Sequence, residues 1–341
     1  MNKTLDQKLA AIHQDPSGCR DFILADAKDA DMGFGATAPG PKRGAGAEGF
    51  KTLADYREQI RQIVRQGLVD IMLLSASNLE QLAMRENIFA NSRITPAARL
   101  NDSSDVWVVR GGRHVKQPSR PFRSASLDHV RYGRWSESFS AAPTGSDLGL
   151  YSITLNNDTE ADLRTLEAYR EFRLEAERKQ MRHFLEVFAP NVKSSGLRPG
   201  SVGPFLNDHI VRLLAGVTSA GRPLFLKMPY LGPAALEELA AYDPHLIVGI
   251  LGGSAGTTLD AFQLLHDVRR HGARVALFGR KINLSEDPLS FVECLRGIAD
   301  GQLEPREGVK RYHGLLQKKG LRPDRALAAD LNTTPALHRY G

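Results

Sequence analysis

Cysteine is almost missing from this chain: it holds two in 341 residues, Cys19 and Cys294. They stand far apart, in no C-x-x-C or zinc-ligand spacing, which excludes a disulfide framework and a thiolate metal centre. No apolar run approaches the roughly 20 residues that a membrane helix needs. Residues 1–18 (MNKTLDQKLAAIHQDPSG) are polar and amphipathic, without a signal-peptide core. No G-x-G-x-x-G opens the first helix, so the dinucleotide fingerprint is absent too. The net charge of +6 is spread along the chain, with one local excess between Arg93 and Arg134. Basic residues so dispersed, without interleaved aromatics, do not read as a nucleic-acid surface. The expectation is a cytoplasmic protein with no nucleic-acid and no membrane partner.

What is present is alternation. Short apolar runs at 22–25, 69–74, 94–100, 148–155, 183–188, 224–228, 246–251 and 274–278 read as strands. Helical spacing follows most of them. Residues 51–66 carry Leu53, Tyr56, Ile60, Ile63 and Val64 on one face, and Gly67 stops that helix. Further helices are expected at 78–87 with Asn78 as N-cap, at 158–180, 204–219, 233–241, 257–271, 287–299 and 305–319. A Gly/Pro-rich loop at 33–49 shows no hydrophobic period and is expected to be mobile. Eight strand–helix units imply a parallel sheet, and the length fits a (β/α)8 TIM barrel of about 250 residues plus insertions. A doubly wound open sheet is the alternative. The expected organisation is a single domain over 1–341, with its core at 20–300. A basic insertion at 110–134 follows strand 3, and a helical extension and polar tail occupy 305–341.

Residues 223–232 read PLFLKMPYLG, an apolar run carrying one lysine, Lys227, and closed by Pro229 and Gly232. Burying an ammonium costs hydration and favours the neutral amine, the form that attacks a carbonyl. The plainer reading is a strand-end lysine reaching water along its stem. Barrel active sites lie at the C-terminal ends of the strands. There the sequence places Asp26 and Lys28 (strand 1), Glu186 (strand 5), Lys227 (strand 6), Gly252-Gly253-Ser254 (strand 7) and Gly279-Arg280 (strand 8). Glycine turns let backbone N–H groups approach an anion, and the following helix start adds favourable partial charge. These two turns therefore read as a phosphate site, or as tight turns serving packing alone. Lys281 is a lesser candidate contact. Asp26 and Lys28 share a face of a period-2 strand, so an ion pair explains both most simply. Asp29 and Asp31 read as solvated loop acids, with Mg2+ binding by the strand-1 aspartates as the alternative. Glu186 interrupts an apolar strand and needs a cationic partner, either Lys227 or a structural arginine.

Taken together, ILADAKDAD on strand 1, HFLEVFAP on strand 5, FLKMP on strand 6, GGS on strand 7 and FGR on strand 8 resemble the class I, Schiff-base aldolases. The likeness is to the tagatose-bisphosphate, archaeal-type fructose-bisphosphate and deoxyribose-phosphate aldolases, over roughly residues 20–300. The resemblance implies that Lys227 forms an imine with the substrate, with Asp26 beside the amine and Glu186 assisting proton transfer. Gly253, Ser254, Gly279 and Arg280 would hold phosphate. The chain departs from the tagatose-bisphosphate enzymes at strand 4, which reads LYSITL without their further lysine. It also lacks the second strand-7 lysine of the deoxyribose-phosphate enzymes. The implied activity is reversible cleavage of a C–C bond in a phosphorylated sugar or related hydroxy-carbonyl compound. It needs no metal or organic cofactor, and a homo-oligomer is expected. Tyr151 is a reserve acid/base, and Arg110, Arg113, Lys116, Arg120 and Arg123 are candidates for a lid meeting a second anionic group. The rivals are a non-catalytic barrel that binds phosphorylated ligands, and a metal-dependent lyase using Asp26 and Asp29.

Overall fold

The computed structural model describes residues 2–43, 48–136, 143–253 and 256–335. Eight parallel strands run through it: β1 (Ile23–Lys28), β2 (Ile71–Leu74), β3 (Thr95–Arg99), β4 (Leu148–Thr154), β5 (Arg182–Phe188), β6 (Leu226–Lys227), β7 (Gly249–Leu251) and β8 (Val275–Phe278). Their hydrogen-bonded order is β6-β5-β4-β3-β2-β1-β8-β7. The two ends of that order meet where Met228 bridges Ile250 in parallel. There Met228 N donates to Gly249 O at 3.0 Å and Leu251 N donates to Met228 O at 2.9 Å. The sheet thus closes into the (β/α)8 barrel that the alternation predicts.

Both faces of every strand are buried, and strand periodicity sorts the side chains into two layers. Ile23, Ala25, Ile71, Leu73, Ala97, Phe184 and Leu277 fill the barrel. Leu24, Met72, Leu74, Ile153, Val187 and Phe278 face outward to the helices. Helix Leu53–Gln66 starts at a Thr52/Asp55 capping box and ends at Gly67, whose φ of +73° suits a residue without Cβ. After β2 the chain turns helical earlier than its pattern suggests, because Ser75 rather than Asn78 caps the start. The turn then widens into a π-helical stretch, Glu80–Arg85.

The base of the barrel is sealed by the helix Thr4–Gln14. Its Leu5, Leu9 and Ile12 join the interior cluster. Lys3 pins its entry by donating to the carbonyls of Phe89, Ser92 and Ile94 at 2.8–3.0 Å. At the mouth, the segment after β3 forms a two-stranded ladder, Asp102–Ser103 with Pro121–Phe122, before the helix Leu127–Tyr132. The polar tail is not loose over its described length: helix Leu327–Asp330 docks where Thr258 N donates to Asp330 at 2.7 Å. Of the 33–49 loop, expected to be mobile, residues 44–47 lie outside the described residues; the described part begins in the helix Asp31–Phe34 and carries a bridge between Pro41 and Phe50. No helix among the described residues is long and apolar enough to cross a membrane.

Because Leu5 is fully buried against the strand interior, Leu5→Ala should lower unfolding free energy by about 2–5 kcal/mol, measured by urea denaturation. A loss within error of zero would show that the N-terminal helix is not part of the cooperative core.

Candidate active site

The polar row at the mouth follows from strand register. Ser152 on β4 pairs with Glu186 on β5, and Glu186 pairs with Lys227 on β6. Register partners in a parallel sheet project to the same face, so all three side chains point inward side by side. Lys227 Nζ lies 2.5 Å from Glu186 Oε1. The other carboxylate oxygen, Oε2, accepts from Ser152 Oγ at 2.6 Å. Both charged residues are buried, Glu186 at 2% and Lys227 at 7% exposure. The strand-end reading of Lys227 as a solvated side chain does not hold.

Two residues complete the row. Arg99, the last residue of β3, donates to Asp29 at 2.8 Å and to Ser152 Oγ at 3.2 Å, and lies 3.8 Å from Glu186. Its own Nε is held by Asn101 O at 3.0 Å. Burial works against the Arg99 charge, but Asp29 and Glu186 outweigh it and hold its pKa above the ordinary arginine value. Glu186 thus has both of its suggested partners, the neighbouring lysine and an arginine. Its carboxylate is aimed at Lys227 by Ser152 and Arg99 from behind.

A cavity of about 360 Å3 opens above this row. Asp29, Arg99, Glu186 and Lys227 contribute to its floor and walls, with Gly252, Gly253, Gly279 and Arg280 from the loops after β7 and β8. The glycines there answer to close approach. A Cβ on Gly252 would sit 2.2 Å from the Phe278 ring, and one on Gly279 would sit 2.6 Å from Ala27 O. Gly253 has a φ of +60°. Ser254 lies outside the described residues. The Arg280 guanidinium stacks over the Phe34 ring at 5.1 Å. The helix start after β7, expected to add charge for an anion, is already taken. Thr257 N donates to Asp260 and Thr258 N to Asp330, both at 2.7 Å. What this corner presents to the cavity is Gly252, Gly253, Gly279 and Arg280. Lys281 turns away and donates to Gly256 O at 2.9 Å, bracing the β7 loop, with burial lowering its pKa to about 8.

Asp26 and Lys28 are not at the mouth. They point to the outer face of β1, opposite Met72 and Leu74 in register, and form a fully buried pair 3.3 Å apart. Lys28 Nζ stands 5.9 Å from the Tyr56 ring centre. Burial, opposed by each other's charge, raises the Asp26 pKa to about 6 and lowers that of Lys28. The ion pair expected from their spacing is formed, on the side away from Lys227. The acid that β1 delivers to the cavity is Asp29, just past the strand. Asp26 points outward from β1, while Asp29, beyond the strand end, lines the cavity. Among the described residues no cluster of three His, Cys, Asp or Glu side chains has metal-binding geometry. Asp31 accepts from Ser75 and Asn78 rather than facing solvent. Tyr151 is stacked on Phe172 with ring centres 4.3 Å apart, in the helix layer and remote from the cavity row.

The insertion after β3 roofs the cavity. Val108 N donates to Gly33 O at 2.8 Å, and Asp105 accepts from Ser119 at 2.7 Å and Thr154 at 2.8 Å. Asn191, beyond β5, donates to Gln117 O at 2.7 Å. The roof therefore ties to the loop after β1, the end of β4 and the loop after β5. Its residues lining the cavity are Asp105, Val106 and Val108. Arg110, Arg113, Lys116, Arg120 and Arg123 do not line it, and Arg123 pairs instead with Glu175 at 2.6 Å.

No family model matches the chain, and neither does any curated protein. Solved structures do match. A fructose-bisphosphate aldolase from Slackia heliotrinireducens superposes with a TM-score of 0.64 at 14% identity, over 94% of this chain and 92% of that one. An archaeal fructose-1,6-bisphosphate aldolase, whose catalytic lysine is bound to a carbinolamine intermediate, gives 0.60 at 14% identity, over 86% and 100%. The protein Cgl0159 from Corynebacterium glutamicum gives 0.55 at 17% identity, over 88% and 94%. At these identities the likeness establishes the shared barrel fold.

The outer placement of Asp26 and Lys28 predicts a structural pair. Asp26→Ala should cost about 3–5 kcal/mol by leaving the Lys28 charge unpaired, whereas Asp26→Leu with Lys28→Met should recover most of it. Denaturant titration of the two variants checks this, and equal losses in both would refute it.

Proposed function

We propose that this protein is a Schiff-base lyase of the class I aldolase type, cleaving a C–C bond in a phosphorylated hydroxy-ketone. One observation carries the reading: an amine and a carboxylate 2.5 Å apart, both buried, on the floor of a cavity with a glycine-rich, arginine-bearing corner. The fold shared with aldolases that work through a lysine imine supports it.

On this reading Glu186 takes a proton from the Lys227 ammonium, and the neutral amine adds to the substrate carbonyl carbon. The resulting carbinolamine loses water, with Glu186 returning the proton to the departing hydroxyl, and an iminium remains beside the carboxylate. A carboxylate then removes the proton of the β-hydroxyl. The C–C bond breaks, its electron pair enters the iminium to give an enamine, and the aldehyde departs. On this reading the second base is Asp29, the acid after β1 that lines the cavity, in the role that the resemblance implies for Asp26. Protonation of the enamine carbon and hydrolysis of the imine return Lys227. Ser152 and Arg99 position Glu186, while the substrate phosphate meets Gly253, Gly279 and Arg280.

The same cavity favours one phosphate over two. Around the rest of the lining, the roof presents Val106, Val108 and the Asp105 carboxylate, with Phe188 at the end of β5. A second phosphate there would lose its hydration against valines and face an acid. The arginine-bearing part of the insertion, read as a lid for a second anion, contributes no cation to the lining.

Borohydride reduction with dihydroxyacetone phosphate, fructose 1-phosphate or fructose 1,6-bisphosphate should leave a ligand mass on Lys227, located by peptide mass spectrometry. Lys227→Met should take none, and Glu186→Gln should slow trapping about 10²–10⁴-fold. Thermal stabilisation by these ligands with no adduct would mark a non-catalytic binder and end the proposal. Fructose 1-phosphate should be cleaved with a higher kcat/KM than the bisphosphate. Val108→Arg should narrow that ratio by about tenfold, each tenfold being about 1.4 kcal/mol. A wild-type preference for the bisphosphate would refute the single-phosphate assignment while leaving the lyase assignment standing.

A further inference from the structure

At the end of the barrel away from Lys227, Arg20, Arg269, Arg270 and Arg274 line a pocket of about 340 Å3. The ladder brings two of them together: Arg20 lies just before β1 and Arg274 just before β8, and Ile23 N donates to Arg274 O at 2.8 Å. Arg269 and Arg270 come from the last turn of helix Thr258–Arg270. There a positive charge complements the helix end, which accounts for one or two arginines but not for four facing one hollow.

The neighbouring arginines of this base are neutralised. Arg182 is held by Asp6 and Asp147, and Arg296 by Asp70 and Asp300. Among the described residues no carboxylate forms an ion pair with any of the four in the pocket. Arg274, half-buried, donates to Pro16 O at 3.3 Å. Burial pushes its pKa down, Arg20 and Arg269 add to that, and the Cys19 thiol opposes it. Four guanidinium groups gathered without an acid repel one another, and a multiply charged anion relieves that repulsion.

We propose that this pocket is a binding site for a compact oligophosphate anion of the pyrophosphate type. Guanidinium forks pair bidentately with phosphate oxygens, and four of them exceed what a single phosphate can engage. The lining has no aromatic side chain, so it recognises the phosphate chain and offers no platform for a base. Its small size, with only four residues lining it, suits one small ligand rather than the track that a nucleic-acid strand follows. The site is separate from the mouth and does not depend on the proposed lyase chemistry.

Pyrophosphate binding is measured by isothermal titration calorimetry at fixed ionic strength, using full-length protein carrying Arg280→Ala so that the mouth is weakened. The expected result is binding to a single class of site, weakened about tenfold or more when the exposed Arg20 and Arg270 are both changed to Ala. Circular dichroism of the triple variant verifies that it is folded. Arg274→Lys, which keeps the charge but loses the fork, should weaken binding as well. Loss of all pyrophosphate binding in the Arg280→Ala protein would overturn the proposal by locating the anion at the mouth. Binding unchanged by the Arg20 and Arg270 substitutions would overturn it too. So would arginine-dependent binding of a single-stranded oligonucleotide without binding of pyrophosphate.

Discussion

The structure turns on keeping one ammonium–carboxylate pair, Lys227 with Glu186, out of water. Each charge alone would be costly inside a barrel, so the pair must be close and the remaining acceptor positions of Glu186 must be filled. Ser152 donates to Oε2, Arg99 adds its charge 3.8 Å away, and Asp29 in turn balances Arg99. The chain of partners crosses β1, β3, β4, β5 and β6. It exists only because those strands share one register. A slip of one residue in β5 would send Glu186 into the helix layer and bring Val187 or Leu185 to the mouth.

The roof serves the same constraint from above. An insertion anchored at Gly33, Thr154 and Asn191 shields the row from solvent and presents valines rather than its own arginines. A water-poor cavity strengthens every charge interaction inside it and excludes competing hydrolysis of an enamine. Two closures therefore frame the site: the N-terminal helix stops the barrel at its base, and the insertion covers it at its mouth. Arg110, Arg113, Arg120 and Arg123 of the insertion stay exposed at its outer surface, whereas Arg131 is buried and donates to Gln180 O.

Much of this was legible in the sequence. The eight strand–helix units, the inward lysine and glutamate on neighbouring strands, and the glycine turns after the last two strands all carried clear patterns. What failed was parity. In a parallel barrel both faces of a strand are buried, so ILADAK does not reveal whether Asp26 or Ala27 points inward. The resemblance implies Asp26 beside the amine and the loop pattern reads Asp29 as solvated, whereas Asp29 is the one that lines the cavity. Arg99 was missed because the run TPAAR reads as a weak strand, and its value comes from Asp29, Ser152 and Glu186, residues far away in sequence. The capture of the β7 helix start by Asp330 was equally invisible, since nothing local to residues 257–260 points to the tail.

The pair also explains how charge stays balanced through the proposed chemistry. Asp29, Asp105 and Glu186 face Arg99, Lys227 and Arg280 around the cavity, three formal charges of each sign. When Lys227 gives its proton to Glu186, both members become neutral together. When water leaves the carbinolamine, an iminium cation reappears beside a carboxylate. The resting ammonium and the reactive iminium thus occupy the same electrostatic setting, and no group has to move to accommodate the new charge. A site preorganised for one is preorganised for the other, which is the economy expected where fixed dipoles and charges replace solvent.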